Sequence, residues 1–143
     1  MFIFVLIKSY PMKFTVQQHQ KAEFYETFCK WLAGHNFPEI DARILPENVF
    51  VCYSDEVPVY CIWVYFTDSK LCWIAWPASN KNVNFKKKAN GLRFLMEAVS
   101  KYCKKKKILM ILTTSGTESI IEPLLQSGFE LGDQGVNHYI KRL

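Results

Sequence analysis

The chain contains no Cys-x-x-Cys pair and no cysteine–histidine spacing that fits a metal site, which removes the usual metal-binding signatures. No stretch rich in proline, glycine or serine marks a linker. The apolar opening run, Phe2-Ile3-Phe4-Val5-Leu6-Ile7, has no basic residue ahead of it and falls far short of the roughly 20 residues that span a bilayer. It reads as a buried or edge strand, or as a short extension, with Met12 as a second possible initiator in front of Lys13-Phe14-Thr15-Val16. Histidine is scarce and scattered, at positions 19, 35 and 138, and reads as surface or locally bonded imidazole.

What remains is the composition of one globular domain over residues 1–143, half of it hydrophobic and able to bury a substantial core. The five cysteines, Cys29, Cys52, Cys61, Cys72 and Cys103, lie inside apolar runs, as reduced thiols of a cytoplasmic protein do. No histidine or aspartate is placed beside any of them to activate a thiolate. The net charge of +5 comes largely from two lysine clusters, Lys86 to Lys88 and Lys104 to Lys107. Such clusters suit phosphate-bearing ligands, nucleic acid or an acidic partner.

Phe14-Thr15-Val16 alternates like a strand. Phe24, Phe28, Trp31 and Leu32 then fall at helical spacing within residues 20–33, and Gly34 stops the helix. Residues 35–47 are irregular, with Glu39, Asp41 and Arg43 as polar candidates for a substrate or as solvated loop charges. An antiparallel meander follows: residues 48–53, residues 58–66 and residues 71–76, with Pro77 ending the last strand. Its aromatics, Tyr60, Trp63, Tyr65, Phe66, Trp73 and Trp76, read as sheet packing or as a stacking surface for bases. Leu92, Leu95, Met96, Val99 and Cys103 define a buried helix face from Gly91 onward. Lys104 to Lys107 complement the negative end of that helix, which accounts for the second cluster without nucleic acid. Ile108-Leu109-Met110-Ile111-Leu112 predicts a strand covered on both faces. A short helix from Thr117 through Leu125, a strand at Phe129-Glu130-Leu131 and a final strand at residues 136–141 complete the order.

Between the third strand of the meander and the buried helix lies Asn84-Phe85-Lys86-Lys87-Lys88-Ala89-Asn90-Gly91-Leu92. A polar, basic entry into a helix leaves backbone N–H groups unpaired at the positive end of the helix dipole, and that is an anion site. The alternative is a solvated lysine run with Gly91 as a local breaker.

Lys86-x-x-Ala89-x-Gly91 resembles the Gln/Arg-x-x-Gly-x-Gly/Ala phosphate loop of the GNAT superfamily of acyl-CoA-dependent N-acyltransferases. Leu124-x-x-x-Gly128-Phe129 is similar to the Tyr-x-x-x-Gly-Phe that commonly ends a later helix in that family. The element order matches over residues 13–142. The resemblance implies an α/β fold with a mixed, mostly antiparallel sheet of about six or seven strands flanked by helices. It implies acetyl-CoA as co-substrate, with its pyrophosphate on the backbone amides of Lys87 through Leu92. The side chains of Lys86, Lys87 and Lys88 would lie beside the phosphates, and the small residues Ala89 and Gly91, flanking Asn90, would let the backbone approach. The pantetheine arm would fall to the backbone of Ile74, Ala75 and Trp76. The implied activity is acetyl transfer to a primary amine of a small molecule or protein.

Leu124 stands where the family often carries the tyrosine that protonates the departing thiolate, so the resemblance supplies no catalytic residue. Asp55, Glu56 and Ser115 reach toward the cleft in principle, with turn and helix-entry roles as the alternative. Two other functions stay open: a non-catalytic GNAT-like module that binds coenzyme A or a protein partner, and a small basic nucleic-acid-binding protein. No membrane partner is expected.

Overall fold

The computed structural model describes residues 3–5, 13–115 and 117–143, with the side chains of residues 3–5 left aside. Phe2, Leu6, Ile7, Met12 and Gly116 lie outside the described residues. One sheet runs across the molecule in the order β1 (Ile3–Val5), β2 (Phe14–Gln20), β3 (Asn48–Ser54), β4 (Val57–Phe66), β5 (Leu71–Ser79) and β6 (Met110–Thr113). Neighbours pair antiparallel from β1 to β5, and β6 joins β5 in parallel. The fold is therefore α/β with a mixed sheet. A parallel pair needs a crossover, and helix α2 (Phe85–Lys105) supplies it.

Helix α1 (Lys21–Gly34) covers one face of the sheet. Its Phe24, Phe28, Trp31 and Leu32 pack with Val49, Val51, Cys61 and Trp63, and Phe28 meets Trp63 edge to face at 5.1 Å between centroids. Helix α2 and the short α3 (Glu118–Gln126) cover the other face. There Leu92, Leu95, Met96, Val99 and Cys103 join Phe14, Phe50, Ile62 and Ile74 in a continuous core, and Leu124 of α3 closes it. Because α2 starts beside the end of β5 and β6 runs parallel to β5, the N-termini of α2 and α3 lie at one end of the sheet. No helix among the described residues is long and apolar enough to cross a membrane.

Four expectations need correction. Pro77 does not end β5, which continues to Ser79 through a bulge. The bulge tolerates a residue that cannot donate to the ladder. Helix α2 begins at Phe85 rather than at Gly91, so the lysine run is its first turn; lysine is a good helix former and Asn84 caps it. The run from Ile108 to Leu112 is not covered on both faces: Leu109 is 84% exposed and Met110 58%. Finally, residues 129–131 and 136–141 form no strand. A strand needs a neighbour to bond, and no backbone hydrogen bond among the described residues involves residues 130–143.

Candidate functional site

The sheet opens at β5. Register with β6 runs from Leu71↔Met110 to Ile74↔Thr113 and stops there, while β5 continues to Ser79 paired to β4 alone. Thr113 Oγ1 donates to the Ile74 carbonyl at 3.1 Å, closing the last shared position. Past it, the edge of Ala75 and Trp76 that would face β6 has no strand against it among the described residues.

The bulge lies at the same point. Cys61 pairs with Ala78 and Trp63 with Ala75, so Trp76 and Pro77 together oppose Ile62. Trp76 is left-handed, at φ +53°, a conformation that costs a non-glycine residue about 1 kcal/mol or more. Its side chain is anchored: the indole N–H donates to Tyr65 Oη at 2.8 Å, and that hydroxyl donates to the Ile44 carbonyl at 2.8 Å. Ile44 belongs to a single 3-10 turn, Ala42–Ile44, inside the segment read as irregular. Strain at the bulge is thus held by a tie to that turn.

Arg43 and Asp41 do not reach the cleft as free charges. They pair with each other, Arg43 Nη2 to Asp41 Oδ2 at 2.6 Å, and the guanidinium with the Arg43 amide lowers the Asp41 carboxyl to about 2. A depressed folded-state value means that the pair's contribution is full above about pH 4. It is lost as pH falls toward 2. Arg43→Ala removes the guanidinium and keeps the backbone amide, so it is expected to raise the Asp41 titration part of the way toward the ordinary aspartate range, read by NMR.

Asn84 caps α2, its Oδ1 accepting from the Lys87 amide at 2.8 Å, and the Lys88 amide bonds back to the Asn84 carbonyl at 3.1 Å. From Lys88 onward the amides are spent inside the helix. The donors left open at this terminus are therefore those of Phe85 and Lys86, fewer than the run from Lys87 to Leu92 suggests. The first turn holds no acidic residue, and Lys86, Lys87 and Lys88 form no salt bridge among the described residues. Three cations at the positive end of a helix dipole disfavour the free state, and a bound anion relieves them. Asn84→Ala is expected to cost about 1 kcal/mol of stability, measurable by urea unfolding.

Gly91 faces away from this terminus. A Cβ on it would meet Val59 Cγ1 at 3.2 Å and Cys52 Sγ at 3.6 Å. Its lack of a side chain lets α2 lie close on the sheet, which is a packing role. Ala89 and Lys88 line a cavity of about 210 Å³ together with Phe85, Leu92, Tyr60, His35, Ser79 and Ser119; Asn90 is half-buried beside them. His35 Nε2 lies 3.0 Å from the Ser79 carbonyl and 3.2 Å from its hydroxyl. A carbonyl only accepts, so Nε2 carries the proton. Sequence reasoning missed Tyr60, Ser79 and Ser119 as cavity residues and left His35 among scattered imidazoles. The signal available was positional: His35 follows the stop of α1, and Ser79 and Ser119 sit at element ends that the crossover brings together.

Asp55 and Glu56 occupy the turn between β3 and β4, both left-handed, at φ +49° and +67°, as a two-residue hairpin turn requires. They line a separate hollow with Lys13 and Thr15. The Ser115 hydroxyl donates to the Thr117 carbonyl at 3.2 Å and accepts from the Thr117 amide, a local helix-entry role. Leu124 is 8% exposed and packed in the core.

No family model matches the sequence, and no curated protein matches it. Solved structures do match the fold. An aminoglycoside acetyltransferase, meta-AAC0020, from an uncultured soil metagenomic sample, is 15% identical. That match covers 91% of this chain and 97% of the other, with a TM-score of 0.65. A ribosomal-protein-alanine N-acetyltransferase from Brucella melitensis biovar Abortus 2308 is 10% identical, over 90% of this chain and 99% of the other, at TM-score 0.63. The aminoglycoside N-acetyltransferase AAC(6')-Iy, solved in complex with CoA, is 17% identical over 96% of this chain and all of the other, at TM-score 0.60. The chain has the GNAT acetyltransferase fold.

Proposed function

We infer that this protein is an N-acetyltransferase that binds acetyl-CoA in the opening between β5 and β6 and transfers the acetyl group to a primary amine of a small molecule or protein. The observation that carries the reading is the parting of β5 from β6 after Ile74, at a left-handed bulge, with the uncompensated N-terminus of α2 at the same end of the sheet. An extended arm of amides fits beside a strand edge with unpaired backbone groups. A pyrophosphate fits the open amides of Phe85 and Lys86 with Lys86 to Lys88 around them.

In such a reaction the neutral amine attacks the thioester carbonyl and the C–S bond breaks. The amine gives up a proton and the thiolate takes one. Backbone donors at the bulge would stabilise the oxyanion. Leu124, an apolar side chain in the core, donates no proton, so the thiolate would be protonated by water and the rate would rest mainly on proximity. The buried Leu124 also favours a second reading, in which the chain binds coenzyme A without catalysis.

Purified protein incubated with acetyl-CoA and a panel of primary amines, read by free thiol release, tests the reaction. Release above the enzyme-free rate with at least one amine supports transfer. Release at the enzyme-free rate across the panel removes the catalytic reading and leaves the binding one to be judged by affinity.

A further inference from the structure

Resting on the reading of the opening past Ile74 as the place of acetyl transfer, we propose that the acceptor is a small aromatic monoamine, an arylalkylamine. Its ring would stack on a wall formed by Tyr65, Trp73 and Trp76.

Alternation along β5 puts this wall on the face away from α2. Cys72 and Ile74 join the core beneath α2, so Trp73 and Ala75 point to the side of α1. There Trp63, opposite Ala75, packs against Phe28 of α1. Tyr65 and Trp73 form the next pair on that face, and neither belongs to the core that α1 covers. Trp73 is 41% exposed and Trp76 38%. The bonds from the Trp76 indole to the Tyr65 hydroxyl, and from that hydroxyl to the Ile44 carbonyl, fix both rings and engage their donors. What these two side chains present is ring surface, held in place before a ligand arrives. Trp73 and Ala75 flank Ile74, the last residue that β5 pairs with β6. A ring lying on Trp73 therefore sets an amine on a short alkyl arm at the opening, about 7 Å or less along the strand.

Charge favours the same ligand. The strands β4, β5 and β6 contain no charged residue. In the segment that reaches Ile44 the carboxylates are engaged: Asp41 with Arg43, Glu47 with Lys21 at 3.2 Å, and Glu39 with the Tyr25 hydroxyl at 3.3 Å. A polyamine or an aminosugar finds no carboxylate in these strands for its further cations. A single amine on an aromatic body needs none, because ring stacks on ring and the indole faces attract the ammonium on its way in. Helix α2 packs on the opposite face, which leaves this one to the acceptor.

Two measurements on the full chain test the proposal, with phenethylamine and spermidine as probes. In the first, NMR follows the four indole N–H signals as each amine is added. Phenethylamine is expected to shift Trp73 and Trp76 and to leave Trp31 and Trp63, which are buried, in place; spermidine is expected to shift none. In the second, thiol release from acetyl-CoA is expected to show kcat/KM about tenfold or more higher for phenethylamine than for spermidine. Trp73→Ala, a change at an exposed ring, is expected to raise KM for phenethylamine about tenfold with KM for acetyl-CoA unchanged, and Trp73→Phe to restore most of the loss. Indole shifts in a chain that releases no thiol would remove catalysis and still support the wall as an amine site. Indoles that stay in place at millimolar phenethylamine overturn the proposal even where acetyl transfer occurs. So does spermidine turnover equal to that of phenethylamine, or a Trp73→Ala variant with unchanged KM for phenethylamine.

Discussion

Gly91→Leu is expected to destabilise the protein by about 2–3 kcal/mol, the upper part of the range for inserting carbon atoms into a close-packed core. A Cβ at this position would already stand 3.2 Å from Val59 Cγ1, 3.6 Å from Cys52 Sγ and 3.6 Å from Phe14 Cε1. Val59 and Cys52 are fully buried and Phe14 nearly so, so none of the three moves into solvent to make room. Leucine adds three more carbons along that line and pushes α2 off the sheet. Gly91→Ala is a contrasting case. Alanine brings only the Cβ, and its gain in helix propensity of about 1 kcal/mol offsets a contact that is tight by a few tenths of an ångström. Its net change is expected to stay within about 1 kcal/mol. Thermal unfolding of both variants checks the pair. For a chain of this size, the leucine variant should melt roughly 5–12 °C lower. Equal melting points would mean that Gly91 has no packing role.

Phe85→Pro is expected to lower coenzyme A affinity about tenfold to a hundredfold while leaving the melting temperature within a few degrees. Phe85 is the first residue of α2, and Asn84 before it is extended, at φ −67° and ψ 159°. Proline is accommodated at such a position, because its fixed φ suits a first helical residue and an extended residue precedes it comfortably. The substitution removes one backbone N–H from the open terminus and no hydrogen bond from the helix. A hydrogen bond to a charged group contributes about 1.5–3 kcal/mol, which sets the expected loss. Phe85→Ala is the control for the side chain, which is 70% exposed. Calorimetry should show the alanine variant close to wild type and the proline variant much weaker. Proline and alanine variants of equal affinity would place the phosphates away from the Phe85 amide.

Much of the fold is legible in the residues. Phe24, Phe28, Trp31 and Leu32 mark the buried face of α1, and the face of α2 from Leu92 to Cys103 lies where its spacing puts it. The antiparallel run from β3 to β5 follows from β-branched and aromatic composition broken by turn residues. The entry into α2 was less legible. Asparagine, lysine and glycine together suggest a loop, but Asn84 is a cap, the lysines are good helix formers, and Gly91 answers to Val59 on a distant strand. The continuation of β5 past Pro77 depends on a bulge opposite Ile62, which no local pattern encodes. The strands expected after Gly128 depend wholly on a neighbour, and within one chain they do not form.

At the candidate site, Ile74, Ala75 and Trp76 lie where β5 leaves β6, and Lys88 and Ala89 line the cavity at the head of α2. What the sequence did not disclose is how few amides that helix leaves open, because this is settled by the Asn84 cap and the start of the helix at Phe85.

Calorimetric titration of the wild-type chain with coenzyme A decides whether the opening beside β5 and the head of α2 hold the cofactor. Saturable binding is expected at one site per chain with a micromolar dissociation constant. Affinity is expected to weaken as salt rises, since lysines and a helix terminus would hold the phosphates. No heat of binding at high micromolar coenzyme A would remove both the acetyltransferase and the coenzyme A-binding reading.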